Sequence, residues 1–205
     1  MRGLFIVLEG IDGSGKTEQS RRLAAWLRET GRSVIETREP TDGEWGRRYR
    51  AWARGEIEAS ADEVLEFFVE DRREHVARLV LPALERGDDV VCDRYVASTL
   101  AYQAAHGVDR HKLRAATEGA AFPEPDLVVW LRLPVADALA RLGSRLGSRR
   151  GSQVIERYER SGFLERVDAE YEALGLESTD AAGDVDQVAR RIRARVERVS
   201  ARADS

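Results

Sequence analysis

Residues 10–17 run Gly10, Ile11, Asp12, Gly13, Ser14, Gly15, Lys16, Thr17, a full match to the pattern G-x-x-x-x-G-K-[ST]. What flanks this stretch constrains the fold. Leu4 to Leu8 is an apolar run of strand length, and after the loop Leu23, Ala24 and Leu27 recur at helical spacing between residues 18 and 30. A Gly-rich loop between a strand and a helix turns backbone N–H groups and the positive end of the helix toward phosphate oxygens. Lys16 is then expected to reach the outer phosphates of a nucleotide, and the Thr17 hydroxyl to hold a magnesium ion. A turn that merely joins strand to helix accounts for the glycines but not for all eight positions.

Further strands are expected at 32–37, 90–92, 127–133 and 177–180, with helices at 63–81 (ended by Pro82), 163–174 and 185–199. Short strands alternating with helices predict a five-stranded parallel sheet covered on both faces, a three-layer α/β/α arrangement. Ligands of such sheets bind beyond the carboxyl ends of the strands, where the phosphate loop lies. At 205 residues the chain suits one domain. A net charge of -4 argues against a general nucleic-acid or acidic-membrane binder. The single Cys92 excludes an internal disulfide. No segment has the length of a membrane span and the N-terminus runs straight into a strand, so a cytoplasmic address is expected.

Three polar clusters fall where that crevice should be. Arg38, in Thr37-Arg38-Glu39-Pro40, ends the second strand, and its planar fork suits a second phosphate-bearing substrate. Which of Arg47, Arg48 and Arg50 points inward is left open. Phe68 and Arg72 share one helical face, so a ring could stack on a base while the guanidinium donates to its edge. His75 reads as structural. Asp93 and Arg94 follow the third strand, where an aspartate can hold magnesium or its water and an arginine can bridge two phosphates. Ser98, Thr99, Tyr102 and Gln103 follow in a helix, and Gln103 carries both a donor and an acceptor for a base.

These stretches resemble the thymidylate kinases, a family of phosphate-loop nucleoside-monophosphate kinases with the nucleoside triphosphate hydrolase fold. LEGIDGSGKTEQ, TREPTDG, FFVEDRREH, LPALERGDDVVCDRYVASTLAYQ and FPEPDLVVWLRLP follow one another in the family's order. The resemblance implies transfer of the ATP γ-phosphoryl group to dTMP, giving dTDP and ADP, with Mg2+ and in a homodimer. It implies that Phe68 stacks on thymine, that Arg72 bonds its exocyclic oxygen, and that Thr99 and Gln103 read its edge. Tyr102 would lie against the sugar, Asp12, Arg38 and Arg94 would handle the acceptor phosphate and sugar, and Glu9 and Asp93 would lie near the metal.

The sequence also departs from the family pattern. Glu18 adds a carboxylate just past Thr17, Thr41-Asp42-Gly43 replaces the usual Gly-Gly-Thr, and Arg132 stands where an acidic residue is common. Residues 143–162, rich in Arg, Gly and Ser, are expected to form a mobile lid within the single domain. A phosphoryl-transfer enzyme must exclude water and neutralise charge, and the loop's variable positions hold no arginine. Arg149 or Arg150, with Arg145 in reserve, is expected to supply that charge; a solvated loop is the alternative. Two other functions stay open, a kinase of another nucleotide or nucleoside and a non-enzymatic nucleotide-dependent switch.

Overall fold

The computed structural model describes residues 2–147 and 161–203 of the chain. Among them one sheet forms from β1 (Phe5–Glu9), β2 (Val34–Arg38), β3 (Asp89–Asp93), β4 (Leu127–Arg132) and β5 (Ser178–Asp180). Its order is β2-β3-β1-β4-β5, and every neighbouring pair is parallel. Side chains alternate between the faces of a strand, and β1, buried throughout, divides accordingly. Ile6 and Leu8 join a cluster with Leu23 and Leu27 of α1 (Lys16–Glu29) and Ile192 and Val196 of α9 (Val185–Ala203). Phe5 and Val7 pack instead with Val76, Val80 and Leu84. Each such side chain contributes about 1.5–3 kcal/mol on full burial, so both faces need their helical cover. The register pairs Leu8 and Arg38 with Asp93, and Glu9 with Trp130. It thereby brings the polar residues at the strand ends into one crevice.

The helix after residue 60 differs from expectation at both ends. α3 (Ala61–His75) starts earlier because Ser60 and Glu63 form a reciprocal capping box. It does not stop at Pro82: a π turn at Val76–Val80 leads into α4 (Leu81–Glu85). There the Leu81 N–H reaches back to the Val76 carbonyl, and Pro82 sits in the first turn of α4, where its missing N–H costs little. The remaining helices are α2 (Glu44–Ala53), α5 (Val96–Ala105), α6 (Arg110–Glu118), α7 (Val135–Gly147) and α8 (Ser161–Ala173). The expected lid thus begins and ends in helix. Arg149 and Arg150 lie outside the described residues, as does the side chain of Arg145.

Candidate active site

The loop at 10–17 joins β1 to α1, whose first residue is Lys16. Two glycines have no substitute there. Gly13 has φ +86° and a Cβ on it would lie 2.4 Å from the Ala138 carbonyl oxygen of α7, while Gly15 caps α1 at φ +98°; L side chains rarely adopt that region. Ile11 is buried beneath the loop, and the Ser14 hydroxyl is buried without a partner. The loop borders a cavity of about 120 Å³ lined by Asp12, Gly13, Gly15, Lys16, Thr17, Asp93, Arg94 and Leu142. Lys16 Nζ donates to the Ile11 carbonyl at 2.8 Å. Burial, and then the nearby Arg94 charge, push the Lys16 ammonium down to about 8. The Thr17 hydroxyl donates to Asp93 Oδ2 at 2.5 Å, and Asp93 Oδ1 is buried with no partner.

Arg94 is the hub of the polar cluster where the ends of β1 and β3 meet α5. Its backbone holds φ 75°, a sparsely populated region for a side-chain-bearing residue, and Arg94 N–H still bonds the Leu8 carbonyl at 2.9 Å. Its guanidinium donates to Asp12 and Ser98, at 3.1 Å for Ser98 Oγ, and lies 4.9 Å above the Tyr102 ring. The Tyr102 hydroxyl donates to Asp12 Oδ2 at 3.0 Å and accepts from Asp12 N–H at 3.0 Å. Burial pushes the Asp12 carboxyl up, but Arg94 and Lys16 outweigh it and hold it below the usual carboxylate range.

Glu9 requires a correction. Oε1 accepts from Tyr95 N–H at 2.8 Å and Ser98 N–H at 3.1 Å, and Oε2 from Ser98 Oγ at 2.5 Å and Tyr171 Oη at 2.9 Å. Those four bonds fill the capacity of a carboxylate. Glu9 therefore anchors the start of α5 and ties it to α8, and it is not free to approach a metal. No set of three or more His, Cys, Asp or Glu residues among the described residues could cage one.

A second cavity, about 390 Å³, opens from the same centre and is lined by Arg38, Glu39, Pro40, Tyr49, Arg50, Phe68, Ser98 and Tyr102 together with Asp12, Thr17, Asp93 and Arg94. Of the three arginines left open, Arg50 reaches this wall, donating to the Thr41 carbonyl at 2.7 Å. Arg47 donates to the Asp42 carbonyl at 2.7 Å, and Arg48 pairs with Glu44. Arg38 stays at the rim, paired with Asp42. Phe68 lies 4.7 Å from the Tyr49 ring. Arg72 bridges α3 and α5 by donating to Thr99 Oγ1 at 2.8 Å. One turn beyond Thr99, Gln103 is wholly buried with both amide atoms unpartnered, as is Arg72 Nη1.

The departures are each absorbed locally. Glu18 accepts from Arg21 at 2.8 Å and Arg22 at 2.7 Å, so its carboxylate is held along α1 by its own helix. Thr41 donates its N–H and hydroxyl to Asp71 at 2.7 and 2.6 Å, which pins the turn that the usual glycines would shape. Arg132 pairs with Glu172 of α8. Tyr49, on the wall of the larger cavity, and Tyr171, on Glu9, were not legible in the sequence. Tyr171 sits about 160 residues from Glu9 in the chain, and no local pattern links the two.

Two cavities meet at Arg94, one on the phosphate loop and one running out past Phe68, so a donor polyphosphate and a phosphorylated acceptor can enter from separate sides. A chain built in this way is a phosphate-loop nucleoside-monophosphate kinase. Comparison with known proteins narrows the class: the chain matches the model of the thymidylate kinase family over residues 8–192. It is 42% identical to a thymidylate kinase of Xanthomonas campestris pv. campestris over 98% of this chain and 86% of the relative. It is 48% identical to one of Akkermansia muciniphila over 70% and 69%, and 46% identical to a probable thymidylate kinase of Pyrococcus abyssi over 71% and 72%. The chain belongs to the thymidylate kinase family.

Proposed function

We propose that this chain transfers the γ-phosphoryl group of ATP to the 5′-phosphate of dTMP, giving ADP and dTDP for dTTP synthesis. The observation that carries the acceptor assignment is that Arg72 Nη1 on α3 and both amide atoms of Gln103 on α5 are buried without a partner, on the two helices that the Arg72–Thr99 bond ties together. Such groups cost about 1–3 kcal/mol each when left unpaired, and a thymine offers the carbonyl and imide partners they lack. Phe68 supplies the stacking ring, Thr99 helps to read the base edge, and Tyr102 lies against the sugar.

A phosphate monoester is already a nucleophile, so the site needs no strong base. Its task is positioning and charge stabilisation. Lys16 binds the donor's outer phosphates, exchanging its bond to the Ile11 carbonyl for them. Arg94, aimed by Asp12, Ser98 and Tyr102, spans the donor and acceptor phosphates, and Arg38 holds the acceptor at the rim. Thr17 and the unpartnered Oδ1 of Asp93 fit a Mg2+ ion, which would neutralise phosphate charge when bound. Arg149 or Arg150 completes the charge around the group in flight, with residues 143–162 acting as a lid on the single domain. The protein works in the cytoplasm as a homodimer, as its likeness to the family suggests, and needs neither nucleic acid nor membrane. No helix among the described residues is long and apolar enough to cross a membrane.

Phosphorus NMR of the chain with ATP, Mg2+ and dTMP tests the reading. The expected products are ADP and dTDP in equal amounts. Inorganic phosphate without dTDP would instead indicate a nucleotide-dependent switch.

A further inference from the structure

Arg72 is an unusual group to find in a site for a phosphorylated ligand. It is 1% exposed, and an unpaired buried guanidinium would be a strong phosphate binder. Here Glu39 meets it. Oε2 accepts from Arg72 Nε at 2.9 Å and lies 2.7 Å from Nη2, while Nη2 also donates to Thr99 Oγ1. Two aromatic rings also pack against the guanidinium, with Cζ 4.9 Å from the Tyr95 ring centre and 5.4 Å from that of Phe122. Glu39 is itself fixed: its Oε1 lies 2.9 Å from His75 Nδ1, and His75 Nε2 lies 2.8 Å from Thr37 Oγ1. Because a carboxylate only accepts, Nδ1 is the protonated nitrogen of that contact. Every fixed bond of Arg72 is on its Nε and Nη2 side, and Nη1 alone is left buried without a partner.

We propose that Glu39 is a positioning residue that sorts the two ends of the acceptor nucleotide. Buried together with Glu39, the charge of Arg72 is balanced and its Nη1 is left to a neutral base carbonyl, while the phosphate goes to Arg94 and Arg38, whose pairs with Asp12 and Asp42 stay open to solvent and to an incoming anion. His75 and Thr37 hold the carboxylate to that task. The inference rests on the dTMP reading above. It assigns the glutamate of the Thr37–Pro40 segment a part in substrate choice, though it touches the base only through Arg72.

Glu39→Gln keeps size and one oxygen but removes the charge. The expected result is a KM for dTMP raised about tenfold and a dTMP-to-dCMP preference lowered about tenfold, the scale of losing one charge-assisted hydrogen bond, with the KM for ATP unchanged. Binding of thymidine should weaken while inorganic phosphate binds as well or better, a pair of changes that a merely structural loss would not give. A folded variant with the wild-type dTMP-to-dCMP preference overturns the proposal. If Glu39→Gln does not fold, His75→Gln, which withdraws the ring from Oε1, should lower the preference in the same direction, and an unchanged preference there overturns it equally. Arg72→Ala separates the two readings. If that variant keeps base choice, recognition by Arg72 itself fails; if it loses base choice while Glu39→Gln keeps it, only the role of Glu39 fails.

Discussion

At the scale of single residues, the site depends on groups whose alternatives to substrate are poor. Lys16 is buried and bonded to a single loop carbonyl, so Lys16→Ala should leave the fold intact. Turnover should fall by about 10²-fold or more, the usual cost of losing one preorganised electrostatic donor. A folded variant turning over near the wild-type rate would remove Lys16 from the mechanism. Tyr102→Phe is a finer probe, because it deletes only the hydroxyl that exchanges bonds with Asp12. The hydroxyl also accepts from Arg94 at 3.3 Å, so the expected loss in kcat/KM for dTMP is about tenfold or more, at about 1 kcal/mol or more for the bonds removed, with circular dichroism unchanged. Steady-state kinetics at saturating ATP would detect it.

At the scale of elements, α3 carries Phe68 and Arg72 and is set by its cap. Ser60→Ala removes one half of the capping box and should cost about 1 kcal/mol, read as a lower midpoint in urea with an unchanged slope. The lid makes a second prediction. Arginines that meet charge developing in flight should matter more to the transition state than to bound ATP. Single-turnover rates of Arg145→Ala, Arg149→Ala and Arg150→Ala, alone and combined, should therefore fall while the ATP dissociation constant moves little, and an unchanged rate in the triple variant would leave that stretch a solvated loop. The elements also show what a sequence can and cannot disclose. The strands were legible because apolar runs such as Phe5–Leu8 are continuous in a sheet buried on both faces, and the loop because its chemistry is local. Extension of the helix past Pro82 was not, since a π turn depends on which carbonyl an N–H five residues on can reach. Glu9 looked like a metal neighbour for the same reason: its partners Ser98 and Tyr171 come from α5 and α8, and only tertiary structure brings them to the end of β1.

At the scale of the whole molecule, the sheet order sets the reaction coordinate. β3 beside β1 puts Asp93 and Arg94 against the phosphate loop, and β2 beyond β3 brings Arg38, and Glu39 just after it, to the wall of the larger cavity. Helices α3 and α5 are then tied together by the Arg72–Thr99 bond. If the chain works as a homodimer, light scattering should return twice the chain mass of 23.0 kDa, with the acceptor cavity of each copy complete within its own chain. The account as a whole turns on the identity of the acceptor, since Lys16, Thr17 and Asp93 would serve many nucleotide enzymes, whereas the unpartnered Arg72 Nη1 and Gln103 amide proposed to read the base would serve few. Exchange of the thymine 4-carbonyl for an amino group turns an acceptor into a donor and sets it against a guanidinium that only donates. The most direct measurement is kcat/KM by coupled ADP release across the nucleoside monophosphates with ATP and Mg2+ held constant. The account predicts that dTMP exceeds dCMP by about 10²-fold or more, the scale of leaving a buried polar group unpaired, and comparable efficiencies for the two would contradict it.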